Sequence, residues 1–158
     1  NPRDQKTYEA DEVRINMIDD KDKQIIELLV SSGREAASSI SEKIGLSVPS
    51  VTERIKKLQD NDIITGFKAI VNYNNLGMDV SAFITIISES SGQYVKFRDK
   101  MNDNEEIVKC YSTTGNGSHV LFVRTKNTNS LERLLSEIQT WPGVKRTETQ
   151  LILSTYKD

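Results

Sequence analysis

One cysteine and one histidine, Cys110 and His119, are all that this 158-residue chain holds of those two residue types. An intrachain disulfide is therefore excluded. So is a structural zinc site within one chain, which takes about four such ligands. A lone thiol fits a reducing compartment, and a cytoplasmic location is expected. No apolar run approaches the ~20 residues of a membrane span, and no signal-peptide pattern stands at the start. The chain begins at Asn1 rather than Met, which is expected to mark a processed or trimmed terminus. Charge of one sign is not in excess either. The net charge is −2, divided as −1 over residues 1–17, −1 over 18–71 and zero over 79–158. Any binding of nucleic acid must therefore rest on local arrangement, not on bulk charge.

What is present reads as a globular protein, with 36% hydrophobic and 28% charged residues. The length allows one ordinary domain or two small ones. Domains this small bury a modest share of their surface, so docking or oligomerisation is expected to support them. Residues 1–16 are polar without an apolar period and read as a flexible arm. From Met17 the texture changes. Asp19 and Asp20 precede Ile25, Ile26, Leu28 and Leu29, the pattern of a helix with an acidic start. Ser31-Ser32-Gly33 reads as its stop, with Gly33 free to take positive φ. A second helix, Ala37 to Ile44, has Ala37, Ile40 and Ile44 on one face and ends at Gly45. Ser47 is the candidate cap of a third helix, with Pro49 in its first turn. Val48, Val51, Ile55 and Leu58 form its apolar stripe, and it runs to about Asn61.

Three helices within some 42 residues, the last two joined by a tight turn with Gly45, form the helix-turn-helix layout. Ile63-Ile64 and Phe67 to Val71 read as extended structure, a hinge strand. Asn72 to Met78 is the linker. The second half then reads as strand Val80–Ser88, helix Gln93 to Met101 with Tyr94, Phe97 and Met101 on one face, and strand Ile107–Thr114. A turn, Gly115-Asn116-Gly117-Ser118, leads into strand His119–Thr125. A helix capped by Asn129 or Ser130 carries Leu131, Leu134, Leu135, Ile138 and Trp141, and Pro142-Gly143 stops it. Strand Val144–Tyr156 completes a β-α-β-β-α-β order, the ferredoxin-like unit. The fold class is α+β. Such a sheet carries helices on one face, which leaves the other free to pair with a second subunit.

With its stripe facing inward, the third helix turns Ser50, Glu53, Arg54 and Lys57 outward, with Thr52 and Lys56 at the flanks. A recognition helix places N-terminal side chains at base edges and basic groups near phosphates. Ser50, Glu53 and Arg54 suit base edges; Lys56, Lys57, Lys43 and Arg34 suit phosphates. Taken alone, those charges read as an ordinary solvated helix face; the three-helix spacing turns the reading to DNA. Gly115-Asn116-Gly117 has strands on both sides and reads as a hairpin turn, since a phosphate loop needs a following helix. His119 lacks a nucleophile or carboxylate close in sequence and reads as a strand residue at an interface. Cys110 reads as a packed core thiol, and Trp141 as a core or interface anchor.

Ile18 to Leu29, the turn Ser41-Glu42-Lys43-Ile44-Gly45-Leu46-Ser47, and Val51 to Leu58 together resemble the Lrp/AsnC family. So do Ile63-Ile64-Thr65-Gly66-Phe67 and Trp141-Pro142-Gly143-Val144. The resemblance spans about residues 17–157. It implies a helix-turn-helix DNA-binding domain over 17–71, the DNA-facing set including Ser47, and a linker over 72–78. It further implies a ligand-sensing, oligomerising RAM domain over 79–158. It implies a transcription regulator rather than an enzyme, without metal or cofactor and without a membrane partner. Such a regulator would bind partly palindromic DNA as a homodimer, assembled further into tetramers or octamers. The implied effector, an amino acid or related metabolite, would sit at Thr114, Gly115, Asn116, Gly117 and Ser118, with Thr147 and Thr149 across the cleft. The chain departs from the family pattern there, since Asn116 and Ser118 are neutral where acidic residues are usual. It also has Ala36 where a capping serine is common. Two rivals remain open. One is an architectural DNA-binding protein without effector; the other is an enzyme, because sirohaem decarboxylases resemble the same two-domain architecture.

Overall fold

The computed structural model describes residues 17–88 and 95–157, with side chains described from residue 99 in the second span. The expected arm at 1–16, the expected helix start at Gln93 and Tyr94, and the side chain of Phe97 lie outside the described residues. The chain divides between Ile70 and Val71 into two compact units.

The N-terminal unit holds α1 (Asp20–Ser31), α2 (Ala37–Ile44) and α3 (Val48–Asp60). Asp19 caps α1: its carboxylate accepts from the Asp22 N–H at 2.9 Å, and the Asp22 carboxylate accepts from the Asp19 N–H at 3.1 Å. Two donors left over at the helix start are satisfied reciprocally. The expected positive φ at Gly33 is not found. The end of α1 is instead Ser32, extended, whose N–H reaches the Leu28 carbonyl. Gly45 does take the left-handed conformation, φ 69°, and turns the chain from α2 towards α3. The Ser41 hydroxyl ties that turn by donating to the Leu46 carbonyl at 2.6 Å, and the Lys21 ammonium donates to the carbonyl of Ile44. Ser47 caps α3 by accepting from the Ser50 N–H, with proline in the first turn.

The core of this unit is Ile25, Leu29, Ile40, Ile44, Val51 and Leu58, with Leu46, Ile55, Ile63 and Ile64 packed against it. A fully buried aliphatic side chain such as Ile40 contributes about 1.5–3 kcal/mol. One member of the expected stripe is misplaced: Val48 is 42% exposed. The expected hinge strand is also not a strand. Residues 63–71 pair with no ladder among the described residues, although Ile63 and Ile64 are held by the core.

The C-terminal unit contains β1 (Val80–Ser88), α4 (Val95–Asn102), β2 (Ile107–Ser112), β3 (His119–Thr125), α5 (Thr128–Gln139) and β4 (Val144–Leu151). The sheet order is β2-β3-β1-β4 and every neighbouring pair is antiparallel. Ala82, Ile84 and Ile86 of β1 share one face with Leu121 and Val123 of β3, and they bury against Leu131, Leu134, Ile138 and Trp141. Trp141 is thus a core residue. It lies just past α5, which ends at Gln139 ahead of the expected Pro142-Gly143 stop. The cap of α5 is Asn127, whose side chain accepts from the Ser130 N–H at 2.9 Å, not Asn129 or Ser130. β2 ends at Ser112, because the Thr113 N–H turns to the Ser118 carbonyl and closes the hairpin. β4 ends at Leu151 rather than Tyr156, because Val80 begins its neighbour β1 and the last bond is from the Ile152 N–H to Ser81. Cys110 is exposed rather than packed, since β2 is an edge strand.

Candidate nucleic-acid interface

A period of 100° per residue sets the faces of α3. Val51 and Leu58 point into the core. Thr52, Glu53, Lys56 and Lys57 are exposed, and Ser50 and Arg54 are part-buried on one flank. Glu53 and Lys57 pair at 3.3 Å along the helix, a solvated contact worth a few tenths of a kcal/mol. Arg34 is exposed just before α2. Lys43 is exposed but bonded to Glu35, whose carboxylate also accepts from the Ser39 hydroxyl. The Lys43 ammonium first, then the Ser39 hydroxyl, hold the Glu35 carboxyl below its ordinary value of 4.5.

Arg54 is where the structure revises the reading of the sequence most. Its Nη1 meets the Asp19 carboxylate at 2.7 and 2.8 Å and the Asp22 carboxylate at 2.8 Å. The guanidinium therefore joins the two acids of the α1 capping box to the middle of α3. In this arrangement Arg54 braces one helix against another. The Arg54 guanidinium first, then the Asp22 N–H, hold the Asp19 carboxyl below its ordinary value of 3.8. Sequence reasoning took Asp19 as a cap and missed this pairing, because its partner lies 35 residues on. A cleft of about 350 Å³ runs beside the brace, lined by Met17, Ser50, Glu53, Arg54, Lys57 and Asn61 among others.

In the C-terminal unit the hairpin loop folds against β1. The Ser118 N–H donates to the Ile86 carbonyl at 2.9 Å. A Cβ on Gly117 would stand 2.3 Å from the Thr85 methyl, so a side chain there would have to displace Thr85. Thr114, Gly115 and Asn116 are exposed at the tip. Thr147 pairs across from Ile86 and Thr149 from Ile84. Directly opposed residues share a face, so both threonines lie on the helix side of the sheet, and Gln139 bonds Thr147 at 3.5 Å. Thr85, against which Gly117 rests, is on the other side, opposite Glu148. Within one chain, then, the loop and the two threonines do not converge on one cavity. His119 is part-buried with its Nδ1 2.9 Å from the Ser118 hydroxyl, and burial pushes its pKa below the ordinary 6.5.

The face without helices carries Phe83, Phe122, Tyr111, Lys109 and Arg124 around a cavity of about 1290 Å³. Phe83 and Phe122 have ring centroids 5.6 Å apart. The Arg124 guanidinium lies 3.6 Å over the Tyr73 ring. Tyr73 is placed by the short 3-10 turn Tyr73–Leu76, so part of the expected linker packs on this face.

Residues 18–59 match the AsnC-type helix-turn-helix domain, and residues 81–158 match the Lrp/AsnC ligand binding domain. The chain is 38% identical to the HTH-type transcriptional regulator FL11 of Pyrococcus abyssi, over 89% of this chain and 93% of that protein. It belongs to the Lrp/AsnC family. The regulatory protein AsnC of Escherichia coli is 32% identical, covering 87% of this chain and 91% of AsnC. Its solved structure superposes with a TM-score of 0.82, at 31% identity over 89% and 95% of the two chains. The feast or famine regulatory protein of M. tuberculosis, complexed with L-methionine, gives 0.83 at 33% identity over the same shares. As an Lrp/AsnC member this chain is a DNA-binding transcription regulator, and its relatives are regulators rather than enzymes. Among the described residues, no helix is long and apolar enough to cross a membrane.

Proposed function

We propose that this Lrp/AsnC chain reads partly palindromic promoter DNA in the cytoplasm as a homodimer, built further into tetramers or octamers. In this proposal α3 enters the major groove. Ser50, Thr52 and Glu53 meet base edges; Ser47, Lys56, Lys57, Lys43 and Arg34 meet phosphates. The observation that carries it is the pairing of an N-capped α3, braced to α1, with an exposed face of Thr52, Glu53, Lys56 and Lys57. A helix held to α1 at one flank presents these groups with little ordering cost on binding. The aromatic and cationic open face of the sheet supports dimerisation through the C-terminal unit. Two reading helices related by a two-fold axis then match two half-sites.

In the same proposal an amino acid or related metabolite acts at the Thr114–Ser118 loop, with Thr147 and Thr149 contributing. L-methionine bound to a solved relative supports the ligand class. Ligand binding would alter assembly, and so how many DNA heads engage at once, which changes avidity by orders of magnitude. A second reading, an effector-independent architectural protein, is favoured by the neutral Asn116 and Ser118 and by the separation of the loop from Thr147 and Thr149. Selection from random-sequence DNA at stated salt, with and without pooled amino acids, tests both. Enrichment of a palindrome whose complex changes size with the pool supports the sensor. Enrichment unaffected by the pool supports the second reading, and no enrichment removes sequence-specific binding.

A further inference from the structure

The first turn of α3 carries an apolar group that the core does not use. Sequence periodicity puts Val48 with Val51, Ile55 and Leu58, yet Val51 is fully buried while Val48 is 42% exposed. The geometry explains this. At 100° per residue Val48 is rotated about 60° from Val51, and Leu46 already packs against the core from the adjoining turn. Pro49, beside it, is exposed and brings no N–H. Thr52 stands one turn further along the same flank and is exposed. Its hydroxyl donates to the Val48 carbonyl at 3.0 Å. With the oxygen turned back to the helix, the methyl is the part of Thr52 left to meet a partner. The N-terminal turns of α3 thus show branched methyl groups along one flank, with Glu53 further round the exposed face and Ser50 on the opposite flank.

Among the groups displayed in the major groove, the one such a surface complements is the C5-methyl of thymine; the others are hydrogen-bond donors and acceptors. We propose that Val48 and Thr52 determine specificity by packing against thymine methyls within each half-site. This rests on the reading of α3 as the DNA-contacting helix. It adds Val48 to the DNA-facing set and gives Thr52 an apolar role there, among groups that are otherwise hydrogen-bonding or charged.

The probe is a duplex enriched by selection, with each thymine replaced one at a time by deoxyuridine, which pairs identically but lacks the methyl. Wild-type protein is expected to lose about fourfold in affinity at each contacted thymine, the effect of one methyl-sized group withdrawn from contact. Thr52→Ser keeps the bond to the Val48 carbonyl and removes the methyl; Val48→Ala trims the branch. Each variant should bind its own deoxyuridine duplex as well as the thymine duplex, while retaining preference at other positions. Both side chains lie outside the core, so circular dichroism should show unchanged helix content. Retained sequence preference with indifference to deoxyuridine everywhere would overturn this inference alone. Variants that discriminate as wild type does would overturn the assignment to Val48 and Thr52. Loss of all sequence preference in the wild type would overturn it together with the reading of α3.

Discussion

Removing the guanidinium of Arg54 should loosen the N-terminal unit before it alters anything at the DNA. The side chain of Asp22 is 11% exposed and that of Arg54 28%, so the contact between them is poorly screened by water. In Arg54→Ala, Asp22 keeps its bond to the Asp19 N–H but loses its cationic partner. A hydrogen bond to a charged group contributes about 1.5–3 kcal/mol, and an acceptor left behind adds to the loss. The Asp19 contact is exposed and screened by water, so the loss rests on Asp22. A loss of about 1.5–3 kcal/mol is a sizeable part of the stability of so small a unit. Amide hydrogen exchange in α1, α2 and α3 should accelerate roughly 10- to 150-fold, by the usual tenfold per 1.4 kcal/mol. Arg54→Lys should recover part of the loss, because an ammonium keeps the charge but not the planar fork that reaches two carboxylates. Trp141 fluorescence, which reports the other unit, should be unchanged. Unchanged exchange in α1 to α3, together with lost base preference, would show instead that Arg54 reads DNA.

Gly117→Ala forces a Cβ into the Thr85 methyl at 2.3 Å and should destabilise the C-terminal unit by about 1–3 kcal/mol, the usual range for overpacking. Thr85→Ser should relieve most of that; denaturation followed by Trp141 fluorescence checks both, and no rescue would refute the clash. The lowered pKa values of Asp19 and Glu35 make their contributions complete above the ordinary 3.8 and 4.5 and lost as pH falls through the lower folded-state values. Acid titration of helix content should therefore be flat down to about pH 5 and fall below it, with a shallower slope in Lys43→Ala; an identical slope would remove the Glu35 pairing from the explanation. Phe83→Glu places a charge on the open sheet face, where Phe83 is 40% exposed. It should shift the protein towards monomer in light scattering with the C-terminal unit still folded, and an unchanged mass would move the dimer interface elsewhere.

Local chemistry made the helix-turn-helix legible. Ala37, Ile44, Gly45 and Ser47 stand where spacing, a left-handed glycine and a hydroxyl cap require them. The β-α-β-β-α-β order was legible from alternation and turn residues. What the sequence did not show depends on partners far along the chain. The ends of β2 and β4 follow from where β3 and β1 run out. The exposure of Cys110 follows from the edge position of β2. The pairing of Arg54 with Asp19 and Asp22 was not legible, because those partners lie 35 and 32 residues away in sequence. The family resemblance groups Thr147 and Thr149 with the hairpin loop, and only the strand register shows that they lie on the opposite face from Thr85.

Hydrogen–deuterium exchange of the whole chain, free and saturated with a selected duplex, tests the DNA-reading assignment most directly. Slowed exchange at the start of α3, over residues 47–53, and at the turn before it is expected. Protection confined to the C-terminal unit, with the first turns of α3 exchanging as in the free protein, would contradict it.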